Sequence, residues 1–265
     1  MSLSARQQLS EPLMGRVTER HRAAILASSL KAAPLSGKLT YIQQASLFND
    51  LSDAECTEIA RMACARRFLS AQLIFRAGEP ASCVVFLASG RVKVSQVSRV
   101  GAHVLLAIVS GCNVVGGLGL EPGTTYSVTA QSVEACRVLT WNVRVFDDLC
   151  MRFPALARNS LRILAEQQRT LEERVLELGT EQAAPRLAGM LIRLLEQSGC
   201  SIHKPARIVL LRAELAEMIG ATIFTVSRLL CDWENLGILE PQRKAVVVRD
   251  PIRLIEFADA IRRVP

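Results

Sequence analysis

The stretch from Leu210 to Arg249 constrains the fold more than any other. Arg212-Ala-Glu-Leu-Ala-Glu-Met-Ile219 has the spacing of a short amphipathic helix. A Gly220-Ala221-Thr222 turn follows, then a second helical pattern from Ile223 to about Glu234. Leu215, Ala216, Ile219, Val226, Leu229 and Leu230 recur at helical spacing, as two helices packed at a steep angle require. Gly220 permits the sharp turn, and Thr222 supplies an N-cap oxygen to the second helix. Leu236 to Arg249 predicts two short strands around a tip at Pro241 to Lys244. Two helices and a wing in this order form a winged helix-turn-helix, a shape that lays its second helix in the major groove of double-stranded DNA.

The chain before it changes character several times. Residues 1–39 are polar and basic, which predicts a mobile arm with at most one helix. Tyr41 to Ala63 reads as two short helices, with Ser52 and Glu55 placed as a capping box. From about Arg66 to Trp141 the pattern is one of short strands: Val84 to Leu87, Val92 to Val94, Val104 to Val109 and Cys136 to Trp141. Gly78, Gly90, Gly101 and Gly111 mark turns between them, a rhythm that predicts a jelly-roll-like double sheet. Val143 to Leu149 begins a helix, Pro154 punctuates it, and a long helix continues to about Leu178. Along it Ala157, Leu161, Leu164, Gln168, Leu171, Val175 and Leu178 step alternately by four and three, a heptad seam with one polar member. Such a seam serves either a core-facing helix within one subunit or a two-fold dimer helix.

Glu214-Leu-Ala-Glu-Met-Ile-Gly220, Thr225-Val-Ser-Arg-Leu-Leu230 and Gly237-Ile-Leu239 resemble the C-terminal domain of the CRP/FNR family of bacterial transcription regulators. Phe75-Arg-Ala-Gly-Glu79 and Leu87-Ala-Ser-Gly-Arg-Val-Lys-Val94 resemble that family's cyclic-nucleotide-binding β-roll. The resemblance implies an α+β fold: a jelly-roll-like β-roll, a long dimerisation helix and a C-terminal winged helix-turn-helix. The expected domains are an N-terminal arm (1–39), a sensor β-roll (40–150), the dimerisation helix (151–180) and the DNA-binding domain (181–265). It further implies a homodimer on a palindromic operator with half-sites one helical turn apart, and contact with RNA polymerase through β-roll loops. The alternative is a cyclic-nucleotide-binding-like regulatory or interaction module that answers a small ligand or a redox signal. An enzyme finds little material, since no Ser–His–Asp order, phosphate-cradling loop or paired-acid motif stands out.

Composition adds less than it first suggests. The formal net charge is +7, but residues 181–265 carry twelve basic and ten acidic side chains, so the motif and not the charge supports DNA binding. Eight cysteines in an intracellular-looking chain are expected to be reduced and mostly buried. None forms a Cys-x2-Cys pair and residues 1–55 contain no cysteine, which argues against zinc and against an N-terminal iron–sulfur cluster. Cys112, Cys136 and Cys150 read as buried hydrophobes; Cys231 reads as structural, with oxidation control as an alternative. Ala23 to Ala27 only faintly imitates a signal peptide and no transmembrane-length stretch occurs, so a cytoplasmic location is expected.

The resemblance also locates two candidate sites. Gly116-Gly117-Leu118, followed by Tyr126-Ser127, falls where nucleotide-binding relatives hold their phosphate cassette. That cassette has a glutamate for the ribose and an arginine for the cyclic phosphate. Gly117 and Tyr126 stand in their places here. Haem-binding relatives carry a ligand histidine in the same region, whereas His21, His103 and His203 all lie elsewhere, His103 in a predicted hairpin turn beside Gly101; no cofactor or metal is expected. In the second helix, Ile223, Phe224, Ser227 and Arg228 are implied to face the major groove, with Thr222 as cap and Thr225 suited to a backbone contact. Arg228 can bond guanine in bidentate fashion, while Phe224, where much of the family has glutamate, is limited to thymine methyls. A core position for Phe224 is the alternative, against its neighbours' periodicity. Arg243 and Lys244 are either phosphate contacts or solvated turn residues. Without the arginine, tight binding of cyclic AMP or cyclic GMP is not expected. Calorimetric titration should detect neither nucleotide, and micromolar affinity or better for either would refute this.

Overall fold

The computed structural model describes residues 34–121, 123–197 and 205–259. The arm before residue 34, the two histidines His21 and His203, and the signal-like run at Ala23 lie outside these. Helix α1 (Leu35–Ile42), a 3-10 turn (Ser46–Phe48) and α2 (Asp53–Met62) precede eight strands. The first helix thus runs across residue 39, where the arm was expected to end. Lys38 anchors it, its Nζ donating to the Ala63 carbonyl at 2.6 Å just past the end of α2. The capping box is present: the Ser52 amide donates to Glu55 Oε2 at 2.7 Å and the Glu55 amide to Ser52 Oγ at 3.4 Å.

The strands are β1 (Cys64–Phe68), β2 (Leu73–Phe75), β3 (Cys83–Ser89), β4 (Arg91–Val97), β5 (His103–Ser110), β6 (Asn113–Gly116), β7 (Thr129–Ser132) and β8 (Cys136–Asn142). They form two antiparallel sheets, ordered β1-β8-β3-β6 and β2-β7-β4-β5. The continuous apolar run of β3 follows from burial on both faces. Val85 and Leu87 turn into the space between the sheets with Phe75, Val92, Tyr126 and Val138. Val84, Phe86 and Ala88 turn outward against the helices, with Phe48, Ile59, Trp141, Phe146 and Leu156. Trp141 closes this second core by donating its indole N–H to the Ile59 carbonyl at 2.9 Å. His103, expected in a hairpin turn, instead opens β5 and is exposed; residues 98–102 make the turn.

Helix α3 (Val143–Arg152) leads into α4 (Pro154–Thr180), with Pro154 at the first-turn position that a proline tolerates. Asn159 of α4 is buried and its Nδ2 donates to the carbonyls of Leu47 (3.1 Å) and Asn49 (2.7 Å), tying the long helix to the 3-10 turn.

The C-terminal unit comprises α5 (Ala183–Gln197), β9 (Ala206–Ile208), α6 (Arg212–Ile219), α7 (Ile223–Asn235), β10 (Leu239–Gln242), β11 (Ala245–Val248) and α8 (Pro251–Asp259). The wing sheet has three strands, ordered β10-β11-β9. Its β9 was not expected: three residues after the segment 198–204 carry too little pattern to read. Pro241 sits within edge strand β10, where its missing N–H costs no ladder bond, so the hairpin tip is Arg243-Lys244 alone.

Leu105 and Ile108 of β5 pack into the core of this C-terminal unit, beside Leu215, Met218 and Ile219. A β-bulge prepares the joint: Val94 faces Ala107 and Ser95 faces Leu105, which leaves Leu106 without a cross-strand partner. Arg174 of α4 donates to that Leu106 carbonyl and, at 2.7 Å, to the Met218 carbonyl in the last turn of α6. Lys93 of β4 and Glu214 of α6 add an ion pair at 3.7 Å.

Asn159→Ala should lower the unfolding free energy by about 1–3 kcal/mol, because two carbonyls lose their donor at a buried site. Urea unfolding followed by tryptophan fluorescence reads this out; an unchanged midpoint would show that the two bonds contribute nothing net.

Candidate functional site

The second helix of the motif, α7, presents its residues as the periodicity requires. Val226, Leu230 and Trp233 are buried, and Ile223, Phe224 and Arg228 are exposed. Phe224 is 88% exposed, so it is no core residue. Gly220 takes the left-handed conformation (φ 62°) that ends α6, and a β-carbon there would stand 3.0 Å from Leu178. Thr222 caps α7: its Oγ1 accepts from the Thr225 amide at 3.1 Å and lies 2.9 Å from the Thr225 hydroxyl. Thr225 is therefore occupied with the cap.

Arg212, the first residue of α6, reaches across with its Nη1 3.5 Å from Ser227 Oγ. Nothing in the residue order singles it out, since the pairing arises only from the angle between the two helices. Arg243 and Lys244 are exposed at the wing tip. Arg249 pairs with Glu240, and Arg207 donates to Gln242 Oε1 at 3.2 Å, so the sheet behind the tip is cross-braced.

On α4 the expected seam divides in two. Leu161, Leu171, Val175 and Leu178 are exposed, Leu161 and Val175 by 68% each. Leu164 is half-buried and packs against the helical core of the roll; a β-carbon on Gly119 would meet it at 3.2 Å. Gln168 is exposed and donates to Glu172 Oε1 at 2.8 Å.

Two of the candidate cassette residues, Tyr126 and Gly117, meet at one peptide, that of Cys83. Tyr126 is buried and stacks on Phe75, with ring centroids 4.0 Å apart and planes 18° from parallel. Its hydroxyl donates to the Cys83 carbonyl at 2.7 Å and accepts from the Cys83 amide at 3.3 Å. Gly117 has φ 91°, and a β-carbon there would lie 2.4 Å from the Cys83 carbonyl oxygen. A glutamate at this position is excluded by the backbone, not merely missing. Gly116 abuts the Phe75 ring, Leu118 is buried and Ser127 is exposed.

Cys56 and Cys136 are buried, whereas Cys83, Cys112 and Cys150 are half-buried and Cys64 and Cys231 exposed, so the thiols are less buried than expected. Cysteine is small enough to sit at strand and helix margins. Burial raises the pKa of Cys56, Cys112 and Cys150, and that of Cys136 to about 11, which disfavours the reactive thiolate at all four. Among the described residues, no three His, Cys, Asp or Glu side chains stand together as a metal site needs, and no helix is long and apolar enough to cross a membrane.

Burial also pushes the Tyr126 hydroxyl up to about 12 from its ordinary 10. The folded state thus holds this proton more tightly than the unfolded chain, and the contribution is complete below pH 10 and lost as pH rises through 12. The difference in unfolding free energy between wild type and Tyr126→Phe should therefore shrink between pH 9.5 and 12. A pH-independent difference would place the Tyr126 hydroxyl in water.

Comparison with known proteins agrees with this geometry. The cyclic nucleotide-binding domain family matches residues 65–153, and the Crp-like helix-turn-helix domain family matches residues 185–257. The anaerobic regulatory protein of Pasteurella multocida is 26% identical over 190 residues, covering 71% of this chain and 69% of that protein. The transcriptional activator protein anr of Pseudomonas aeruginosa is 26% identical, covering 71% of this chain and 77% of that protein. In fold, the chain is similar to FixK2 from Bradyrhizobium japonicum, with TM-score 0.64 at 23% identity over 74% of this chain and 96% of that one. The regulator CLP of Xanthomonas campestris gives TM-score 0.66 at 19% identity over 75% and 99%. A β-roll joined by one long helix to a winged helix-turn-helix, with the two domain families matched in that order, makes this chain a transcription regulator of the CRP/FNR family.

Proposed function

We propose that the chain acts as a homodimer on a two-fold DNA operator, and that it does so without cyclic AMP or cyclic GMP. The observation that carries the DNA part is the outward face of α7, where Ile223, Phe224 and Arg228 stand exposed beside Ser227. Arg228 is read as the direct contact to guanine, and Arg243 and Lys244 as phosphate contacts from the wing. Arg212 joins them, at the start of the helix that crosses the backbone.

The exposed apolar row Leu161, Leu171, Val175 and Leu178 supports a dimer, because a helix with that row in water gains by burying it against its own copy. Residues 40–150 then serve as the sensor roll, 151–180 as the dimer helix and 181–265 as the DNA-binding domain. Tyr126 stacked on Phe75 and the close backbone at Gly117 stand at the positions where the cassette's charged residues are expected, which favours either another effector or none. The chain is read as acting by binding and not by catalysis, in the cytoplasm, with RNA polymerase as a further partner through loops of the roll.

Selection of the purified, ligand-free protein against a randomised duplex pool tests this; an enriched palindrome is expected, and no enrichment would count against ligand-free competence. On the selected duplex, Arg228→Ala should weaken binding by about 10-fold or more, since a bidentate contact is worth roughly 1–3 kcal/mol per half-site. Sedimentation should give a dimer for wild type and a monomer for the double variant Leu171→Glu, Val175→Glu. A dimer that survives both charges would move the interface elsewhere.

A further inference from the structure

We propose that Ile223 and Phe224 form an apolar reading head for the 5-methyl group of a pyrimidine, so that this chain selects a methylated pyrimidine in each half-site. The inference rests on α7 being the recognition helix. Phe224 and Ile223 are its first two residues, the end that reaches furthest toward base edges in such motifs. Phe224 is 88% and Ile223 50% exposed, while the inward side of the helix is already filled by Val226, Leu230 and Trp233. Two large apolar side chains held in water by a well-capped helix gain only when something apolar covers them.

The polar groups that could otherwise read this step are engaged. The Thr222 and Thr225 hydroxyls face each other within the cap, and the Ser227 hydroxyl lies beside the Arg212 guanidinium. The first cation on the outward face is Arg228, a full turn further on. The side chains of Ile223 and Phe224 themselves offer no donor and no acceptor to a base edge.

In the major groove, the apolar feature that a base pair offers to such a surface is the C5-methyl group of thymine. The same methyl is carried by 5-methylcytosine. A head without hydrogen-bonding groups ignores the exocyclic oxygen or amine that distinguishes those two bases. Thymine and 5-methylcytosine should therefore be interchangeable at this position, and uracil and cytosine should both be poor. A cytosine there would make the operator sensitive to methylation of its DNA.

The test uses the full chain and the duplex obtained by selection. Each thymine of the half-site is replaced in turn by deoxyuridine, symmetrically in both halves, and affinity is read by fluorescence anisotropy. At one position the loss should be about 15-fold, from roughly fourfold for burying each of two methyl groups. Placing 5-methyldeoxycytidine there, opposite deoxyguanosine, should restore affinity to within about threefold of thymine, and deoxycytidine should not. Phe224→Ala, at a solvent-exposed site that leaves the core intact, should bind the thymine and uracil duplexes alike.

Indifference to deoxyuridine at every position, with binding retained, would overturn the methyl-reading head and leave DNA binding standing. A uracil effect that persists undiminished in both Phe224→Ala and Ile223→Ala would equally overturn it, by assigning the methyl to another residue. A chain that binds no duplex at all would overturn the recognition-helix assignment and this inference with it.

Discussion

Where α4, β5 and α6 meet, one guanidinium holds three modules in register. Arg174 donates to the Leu106 carbonyl of the roll and to the Met218 carbonyl of the helix-turn-helix. Both acceptors are backbone groups with unfilled valence. Leu106 is the extra residue of a β-bulge, and Met218 lies in the last helical turn, where carbonyls have no intrahelical donor. Burial, followed by the neighbouring Arg193, pulls the Arg174 pKa down, while Glu177 engages Arg193 in a fork at 2.5 and 2.9 Å. The orientation of α7 relative to the long helix depends on this joint. Leu105 and Ile108 supply apolar contact, but only the fixed fork of an arginine bridges two carbonyls on separate elements.

The same economy appears in the roll. A cyclic-nucleotide site needs a hollow between the sheets and charge at its wall. In this chain Phe75 and Tyr126 are a stacked pair in the core between the sheets, and neither position 117 nor position 126 carries a charge. The stacking of Phe75 on Tyr126, the double hydrogen bond to Cys83 and the close approach of Gly117 to that same peptide make one interlocked unit. The roll also presents β4 and β5 to the helix-turn-helix, through Lys93 with Glu214 and through Leu105 and Ile108.

Much of this was legible in the residue order. The helix-turn-helix, the wing, the strands of the roll, the capping box at Ser52 and the long helix all leave local signatures: periodicity, a left-handed glycine, a cap. The candidate reading residues on α7 were equally legible, since helical spacing alone separates Val226 and Leu230 from Phe224 and Arg228. Less legible were β9, the start of α1 and the place of His103, because short elements at the margins of a fold take their conformation from neighbours distant in sequence. Leu164 shows the limit of periodicity: it fits the heptad by spacing, yet it packs on its own roll because Gly119 leaves room there.

The sequence by itself determined the order of the modules, the outward row of residues on α7 and the lack of charge at positions 117 and 126, because each is a local property of spacing or residue type. Tertiary structure alone decided that Tyr126 is buried on Phe75, that a side chain at Gly117 is barred by the Cys83 carbonyl, and that Arg174 joins the β-roll to the helix-turn-helix. Those depend on backbone groups brought together from strands and helices tens of residues apart. No pattern along a chain encodes which carbonyl a bulge or a helix end will leave for an arginine to find.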